Sequence, residues 1–307
     1  MFWKKKRVGL ALGGGGARGL AHIGVLKVIE KEKIPIHLIV GTSIGALVGG
    51  AYASGMNPDD LQKKLDAYLS SAEFRSSAIR AFEAIHAKGE VGLTQRIQTY
   101  LRNHFYLIQA MFKPGILSNE DFQNTIDYFI PDIQIEETRI PFRAVATDLV
   151  SGKEIIFSKG SLRQAVMASS AVPGAIAPFK EGDRLLSDGG TLCRIPSPVA
   201  RQEGADIVIA VVVDRGIGSE ELRSVVDVYL RVSEIMGERL KQYELAEADV
   251  VIRPEVGDLH WSNFSQAMVL VDEGEKATRE KLDDIRRLVP GIKKRFRFMK
   301  VQNPDKP

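Results

Sequence analysis

The chain has 307 residues, of which 44% are hydrophobic and 26% charged, an ordinary globular composition long enough for one large α/β domain or two small ones. A net charge of +3 is too small to argue for a nucleic-acid partner. The one cysteine, Cys193, excludes an intrachain disulfide, offers no metal pattern and suits a reducing compartment.

Residues 1–7 form a basic tail tipped by Phe2 and Trp3, a solvated terminus or a weak contact for anionic lipid. Val8–Leu12 is a short apolar run that predicts a strand. It stops at Gly13-Gly14-Gly15-Gly16-Ala17-Arg18-Gly19. Leu20, Ile23, Gly24, Leu26, Lys27 and Ile29 then follow helical spacing. Ile34–Val40 reads as a second strand and runs into Gly41-Thr42-Ser43-Ile44-Gly45. Ala46–Ala53 is small, apolar and helix-compatible. The stretch is a βαβα unit whose two turns both lie at strand C-terminal ends, where open parallel sheets place ligands.

Gly-x-Ser-x-Gly between a strand and a helix is the pattern of a nucleophile elbow. Gly41 and Gly45 flank Ser43 because so tight a turn has no room for side chains. The serine is expected to stand exposed at a helix N-terminus, where N–H groups and the helix dipole favour developing negative charge. The first turn matches the dinucleotide fingerprint at Gly14, Gly16 and Gly19. That fingerprint wants an acidic residue at the end of the second strand, and Glu30 and Glu32 fall too early, so a nicotinamide-type oxidoreductase is disfavoured. No Gly-Lys-Ser/Thr follows, which removes the phosphate-loop reading. What remains for a glycine turn beside a serine nucleophile is an oxyanion hole. Arg18 could add positive charge, bind a phosphate or form a salt bridge.

Asn57-Pro58-Asp59-Asp60 starts another helix, with Asn as cap and Pro in the first turn. Residues 61–130 read as mostly helical and rich in large apolar groups, either a lid and acyl-chain pocket or plain packing over the sheet. Pro141–Asp148 and Lys153–Phe157 read as two strands about a Ser151-Gly152 turn. Ser161–Ser170 reads as a helix ended by Pro173-Gly174. Leu185-Leu186 is a short apolar run ending at Ser187-Asp188-Gly189-Gly190, with the aspartate either aimed toward the serine or serving as a turn residue. Ala205–Val213 predicts a buried parallel strand. Glu220–Ala246 predicts a long helix, Val250–Ile252 a last strand and Asp272–Leu288 a charged amphipathic helix. Residues 293–300 interleave base and aromatic and could lie on a membrane surface.

His22, His37, His86, His104 and His260 show no ligand spacing, and His86 and His104 read as helix residues. Lys4–Arg7 with Val8–Leu12 is too short for a signal peptide. Ile34–Pro58 lacks Asp, Glu, Lys and Arg, yet holds Pro35 and the whole elbow. It reads as buried strand and helix rather than a transmembrane span.

Together these pieces resemble the patatin-like phospholipase family in its compact bacterial form. The resemblance rests on Gly14–Gly19 with the following Leu-Ala-His-Ile-Gly-Val-Leu, and on Gly41-Thr42-Ser43-Ile44-Gly45. It rests also on Ala146-Thr147-Asp148-Leu149, Ala168–Gly174 and Asp188-Gly189-Gly190. It implies a three-layer α/β/α sandwich on a mostly parallel sheet. It implies a Ser–Asp dyad of Ser43 and Asp188, with Gly14, Gly15, Gly16, Ala17, Arg18 and Gly19 as oxyanion hole. Gly13 stands where the family often has serine. Cys193-Arg194-Ile195-Pro196 stands where the family tends to have asparagines that tie the aspartate's loop.

The expected organisation is a tail at 1–7, one catalytic domain over 8–290 with a helical lid or acyl-pocket segment at about 57–130, and a basic-aromatic tail at 291–307. The expected activity is hydrolysis of phospholipid or lysophospholipid esters through an acyl-Ser43 intermediate. It needs no metal or cofactor and involves no nucleic acid. Location would be cytoplasmic, with peripheral contact to an anionic inner membrane face. Acyl transfer and a non-catalytic regulatory role on the same fold are the alternatives. A Ser–Asp–His triad would require His260, which lacks a strand-end pattern.

Overall fold

A computed structural model describes residues 6–76, 115–117, 119–218, 221–257, 259 and 262–289. His86, His104, His260, the whole 77–114 stretch of the expected lid, residues 1–5 and the whole expected tail at 291–307 lie outside these residues. Among the described residues ten strands are formed: β1 (Val8–Leu12), β2 (Leu38–Thr42), β3 (Gly115–Leu117), β4 (Phe142–Asp148), β5 (Lys153–Phe157), β6 (Gly174–Ile176), β7 (Phe179–Glu181), β8 (Arg184–Asp188), β9 (Ile207–Val211) and β10 (Val250–Ile252). The α-helices are α1 (Ala21–Lys31), α2 (Ile44–Ala53), α3 (Pro58–Ser70), α4 (Ala72–Ser76), α5 (Asn119–Phe129), α6 (Leu162–Ser169), α7 (Ser197–Gln202), α8 (Val225–Ala246) and α9 (Ala267–Leu288).

The main sheet runs β10-β9-β1-β2-β4-β8-β7, with β5 also on β4. The pairs from β10 to β4 are parallel, while β5, β8 and β7 join antiparallel. Leu10, Leu12, Ile39 and Ile209 face a thick layer that includes α1, α2, α3, α5, α6 and α9. Ala11, Val40, Val208 and Ala210 face a thinner layer with α7 and Leu245 of α8. The alternation follows from the period-2 geometry of strands, and the result is the expected three-layer α/β/α sandwich with a mostly parallel sheet.

The register on β4 positions the site. β2 pairs with Phe142–Val145 and β5 with Ala144–Asp148, so these two occupy opposite edges of β4. β8 pairs with Ala146–Asp148, overlapping β5, and must therefore share the edge that β2 uses. β8 thus comes down head-on upon the C-terminal end of β2. Thr42 sits opposite Val145, and Asp188 sits opposite the next residue, Ala146.

Several boundaries differ from the sequence reading. The second strand begins at Leu38 rather than Ile34. The chain turns into a 3-10 helix at Gly16–Leu20 before α1. The last long helix starts at Ala267, and α8 starts at Val225, where Ser224 Oγ accepts from Asp227 N at 3.1 Å. The mostly helical 61–130 reading missed β3, which pairs with β6 at Gly115–Gly174 and Leu117–Ile176. Both strands are three residues long and carry no period-2 run that could announce them. α1 and α9 cross almost backbone to backbone: a Cβ on Gly24 would lie 1.9 Å from Val271 O, and one on Gly274 would lie 2.0 Å from Ala21 O.

Candidate active site

Ser43 occupies the hinge between β2 and α2 with φ 57° and ψ −125°, a left-handed conformation costly for a residue with a Cβ. Two features hold it there. A Cβ on Gly45 would lie 2.1 Å from Leu12 O, and one on Gly41 2.4 Å from Gly45 O, so both flanks must be glycine. Ser43 N–H donates to Ser169 Oγ at 3.0 Å, and Ser169 Oγ–H donates in turn to Val145 O at 2.6 Å. Ser169 therefore ties the strained hinge to β4. The first N–H groups of α2 remain at the serine, since an α-helix leaves its leading donors without intrahelical acceptors.

The serine is not open to solvent, contrary to the expectation from the turn alone. It is 6% exposed, as is Asp188. α2, α3 and α5 roof the hinge, and Ser43 faces a cavity of about 130 Å³ instead. Leu20, Ile23, Leu47, Leu61, Leu65 and Phe122 line its walls, with Tyr68, Phe74, Phe129 and Phe264 among its aromatic members. The Tyr68 and Phe74 rings are tilted against each other with centroids 5.5 Å apart, and Phe74 and Phe264 meet edge-on at 6.0 Å. Of the described residues after 57, those of α3, α4 and α5 contribute to this lining.

Asp188 ends β8, where the register of β2 and β8 on β4 brings it to the Ser43 end of β2. Burial pushes the carboxyl up to about 6; the Ser43 hydroxyl, the Gly190 N–H at 2.7 Å and the nearby Arg194 charge pull the other way. Gly189 is required beneath it, because a Cβ there would sit 2.2 Å from Val145 O.

The glycine loop is held by His22, Arg194 and Arg18. His22 Nε2–H donates to Gly13 O at 2.8 Å, and burial lowers the ring's pKa to about 4, so the imidazole is neutral and structural. Gly14 N–H donates to Arg194 O at 3.0 Å and is committed there, which narrows the expected set of oxyanion donors. Gly14 nevertheless lies against Ser43, where a Cβ would meet Ser43 Cβ at 3.4 Å. Arg18 Nε–H donates to Gly15 O at 3.1 Å, and burial lowers the guanidinium's pKa to about 10 with Asp214 opposing. In a trans peptide the C=O and N–H point in opposite directions. Arg18's grip on Gly15 O therefore turns the Gly16 N–H the other way, and Gly16 lines the chamber beside Ser43. Gly16 has φ 59°, which glycine adopts without the steric cost a Cβ would bring. Ala17 and Gly19 are buried in the 3-10 turn, Gly19 against Ile44.

The tie that asparagines were expected to supply after Gly190 comes from elsewhere. Glu244 of α8 accepts from Arg194 N at 2.8 Å and from Ile195 N at 2.9 Å. Burial raises its carboxyl to about 7 against the pull of those two donors and of Arg194. Nothing local marks Glu244, which in sequence is one acid among several on a long helix.

A family model described as patatin-like phospholipase matches residues 10–200. The chain belongs to the patatin-like phospholipase family. An uncharacterized NTE family protein of Mycobacterium tuberculosis is 38% identical over 205 residues, covering 67% of this chain and 48% of that protein. Patatin-like phospholipase domain-containing protein 7 of Mus musculus is 33% identical over 207 residues, 66% of this chain and 13% of that protein. Neuropathy target esterase sws of Drosophila melanogaster is 34% identical over 217 residues, 70% and 13% respectively. The chain thus spans less than half the length of these relatives. The crystal structure of VipD from Legionella pneumophila aligns with a TM-score of 0.49 at 16% identity, over 92% of this chain and 67% of that one. No described helix of this patatin-like protein is long and apolar enough to cross a membrane.

Proposed function

We propose that the protein is a serine hydrolase of lipid acyl esters, acting on phospholipids or lysophospholipids. The observation that carries this reading is the meeting of Ser43 and Asp188 end to end along one edge of β4, beside an apolar chamber. Asp188 takes the Ser43 proton as Oγ attacks the ester carbonyl. Its raised basicity, from a dry setting, makes it a better base than a solvated carboxylate. The oxyanion is met by the Gly16 N–H and the head of α2, such donors being worth roughly 2.7–4 kcal/mol each. Asp188 then returns the proton to the leaving alcohol, and the acyl chain stays on Ser43 within the chamber. Water, deprotonated by Asp188, attacks the acyl-serine and frees the fatty acid.

The test is acyl release from phospholipid and lysophospholipid panels, alongside labelling with a fluorophosphonate. Wild type should release fatty acid and take one label, and Ser43→Ala should do neither while staying folded. A folded wild type that is inert to both would end the reading.

The chamber makes a further prediction. Leu65 is buried in its wall. Leu65→Phe should cut kcat/KM for long-chain p-nitrophenyl esters by about tenfold, the scale of a methylene-sized mismatch. Butyrate ester turnover should change little, and an equal loss on both would mean that the chamber does not hold the chain.

A further inference from the structure

α8 is amphipathic the wrong way round. Its charged stripe faces the protein: Arg231 and Glu234 pair at 3.0 Å, Glu234 reaches Arg215 at 3.9 Å, Lys241 binds Asp214 at 3.1 Å, and Glu244 holds the 194–195 backbone. Its apolar stripe faces out. Val225, Val228, Tyr229, Val232, Ile235 and Met236 follow i, i+3, i+4, i+7 spacing, and all are exposed, Val225 at 86%, Tyr229 at 72% and Met236 at 66%. Among the described residues of the helix in the exposed class, Arg239 alone carries charge, and it lies 4.9 Å over the Tyr243 ring. Such a contiguous exposed apolar stripe marks an interaction surface.

Its place in the fold says what kind. Val211 of β9 pairs with Leu12, and Leu12 with Gly41, so Asp214 and Arg194 lie just beyond the strand ends that carry Ser43. α8 is anchored there by Lys241 and Glu244. At 1.5 Å per residue the sixteen residues back from Lys241 carry the start of the helix, Val225, about 24 Å from that anchor. A second apolar prominence rises from the same edge. β4 continues beyond Val145, the partner of Thr42, to the β4–β5 turn. Its tip, Leu149 and Val150, stands about 15 Å beyond that level by strand rise, with Val150 69% exposed. The two prominences flank Ser43 in the strand order β9-β1-β2-β4. A second copy's helix laid on α8 would cover one of them, whereas a flat apolar surface meets both. The charge on the outward face is the cation Arg239, which suits an anionic surface.

We propose that the outward stripe of α8 and the Leu149–Val150 tip dock the protein on a lipid bilayer, with the Ser43 edge toward the membrane. This deepens the lipid-ester reading and rests on it for its purpose.

The test uses the full chain carrying Ser43→Ala, so that no lipid is consumed, and vesicles of equal phosphatidylcholine and phosphatidylglycerol. Sedimentation should show binding. Val228→Glu with Ile235→Glu should weaken it about tenfold or more, as expected when buried apolar area is replaced by charge. Val150→Asp should weaken it by a separate increment. With Ser43 intact, the double variant should hydrolyse a soluble butyrate ester as wild type does, which reports folding. Unchanged vesicle binding by both variants overturns the proposal. So does a wild-type dimer that the double variant splits while lipid binding persists. If wild type hydrolyses no ester yet binds vesicles through the stripe, the docking face stands and the hydrolase reading falls.

Discussion

Asp188→Asn is expected to lower ester hydrolysis by about 10⁴-fold, the scale seen when the partner of a catalytic serine is disabled, and at the same time to stabilise the protein at alkaline pH. Both effects come from one buried carboxylate. In the proposed role of base for Ser43 it must be ionised, so kcat/KM of the wild type should rise with pH through about 6 and then level off. Ionisation is also what the fold resists. The folded pKa lies above the ordinary 3.8, so the folded state favours the protonated form. The stability this contributes is fully present below pH 3.8 and lost as pH rises through about 6. The difference corresponds to about 3 kcal/mol at pH 8. Asparagine carries no charge to bury. Thermal melts of Asp188→Asn against wild type should therefore show a gain of several degrees at pH 8, small near pH 4. Equal melting points at pH 8 would mean that Asp188 is not held in a dry site. Full activity in the variant would remove it from the chemistry.

Glu244→Ala should cost both stability and turnover, although Glu244 touches no substrate. Its carboxylate satisfies two backbone donors, Arg194 N and Ile195 N, in the loop that follows Asp188. The same loop's Arg194 O accepts from Gly14, next to Ser43. One side chain on α8 thus sets the height of both the aspartate loop and the glycine loop. Removing it leaves two buried N–H groups without partners, a loss of about 2–4 kcal/mol. Misplacement of reacting groups by about 1 Å can lower kcat by about 100-fold. The expected split is a fall in kcat with KM for a soluble ester nearly constant. Glu244→Gln keeps one acceptor oxygen and should recover part of the rate. A merely structural residue would change melting without changing kcat at temperatures where the variant is folded.

The elbow and the glycine loop were legible because their chemistry is local. A strand that must turn into a helix within one residue needs glycine on both sides of Ser43. That demand is written at Gly41 and Gly45. Burial of the sheet on both faces leaves apolar runs such as Val8–Leu12 and Ile207–Val211. Asp188 was visible only as an aspartate at a strand end. What brings it to Ser43 is the sharing of one edge of β4 by β2 and β8, and no residue within either strand encodes that pairing.

The supporting residues were beyond local reading for the same reason. Ser169 lies 126 positions from the N–H it accepts, and Glu244 about 50 from the loop it ties. His22 sits only nine from Gly13, yet looks like any helix residue until the loop folds back over it. The α8 spacing predicts a helix with an apolar stripe, but not the direction in which the stripe points. Periodicity is a property of the chain, whereas the inward face is chosen by what waits there. Here Asp214, Arg215 and the Arg194 loop drew the charged side in and left the apolar side out. The sequence by itself determined the main strands and helices and the glycine turn around Ser43, because backbone sterics and burial act over a few residues. Tertiary structure alone decided which of them meet, which N–H groups remain at the serine and which surface faces outward, because those depend on register and contact between segments far apart in the chain.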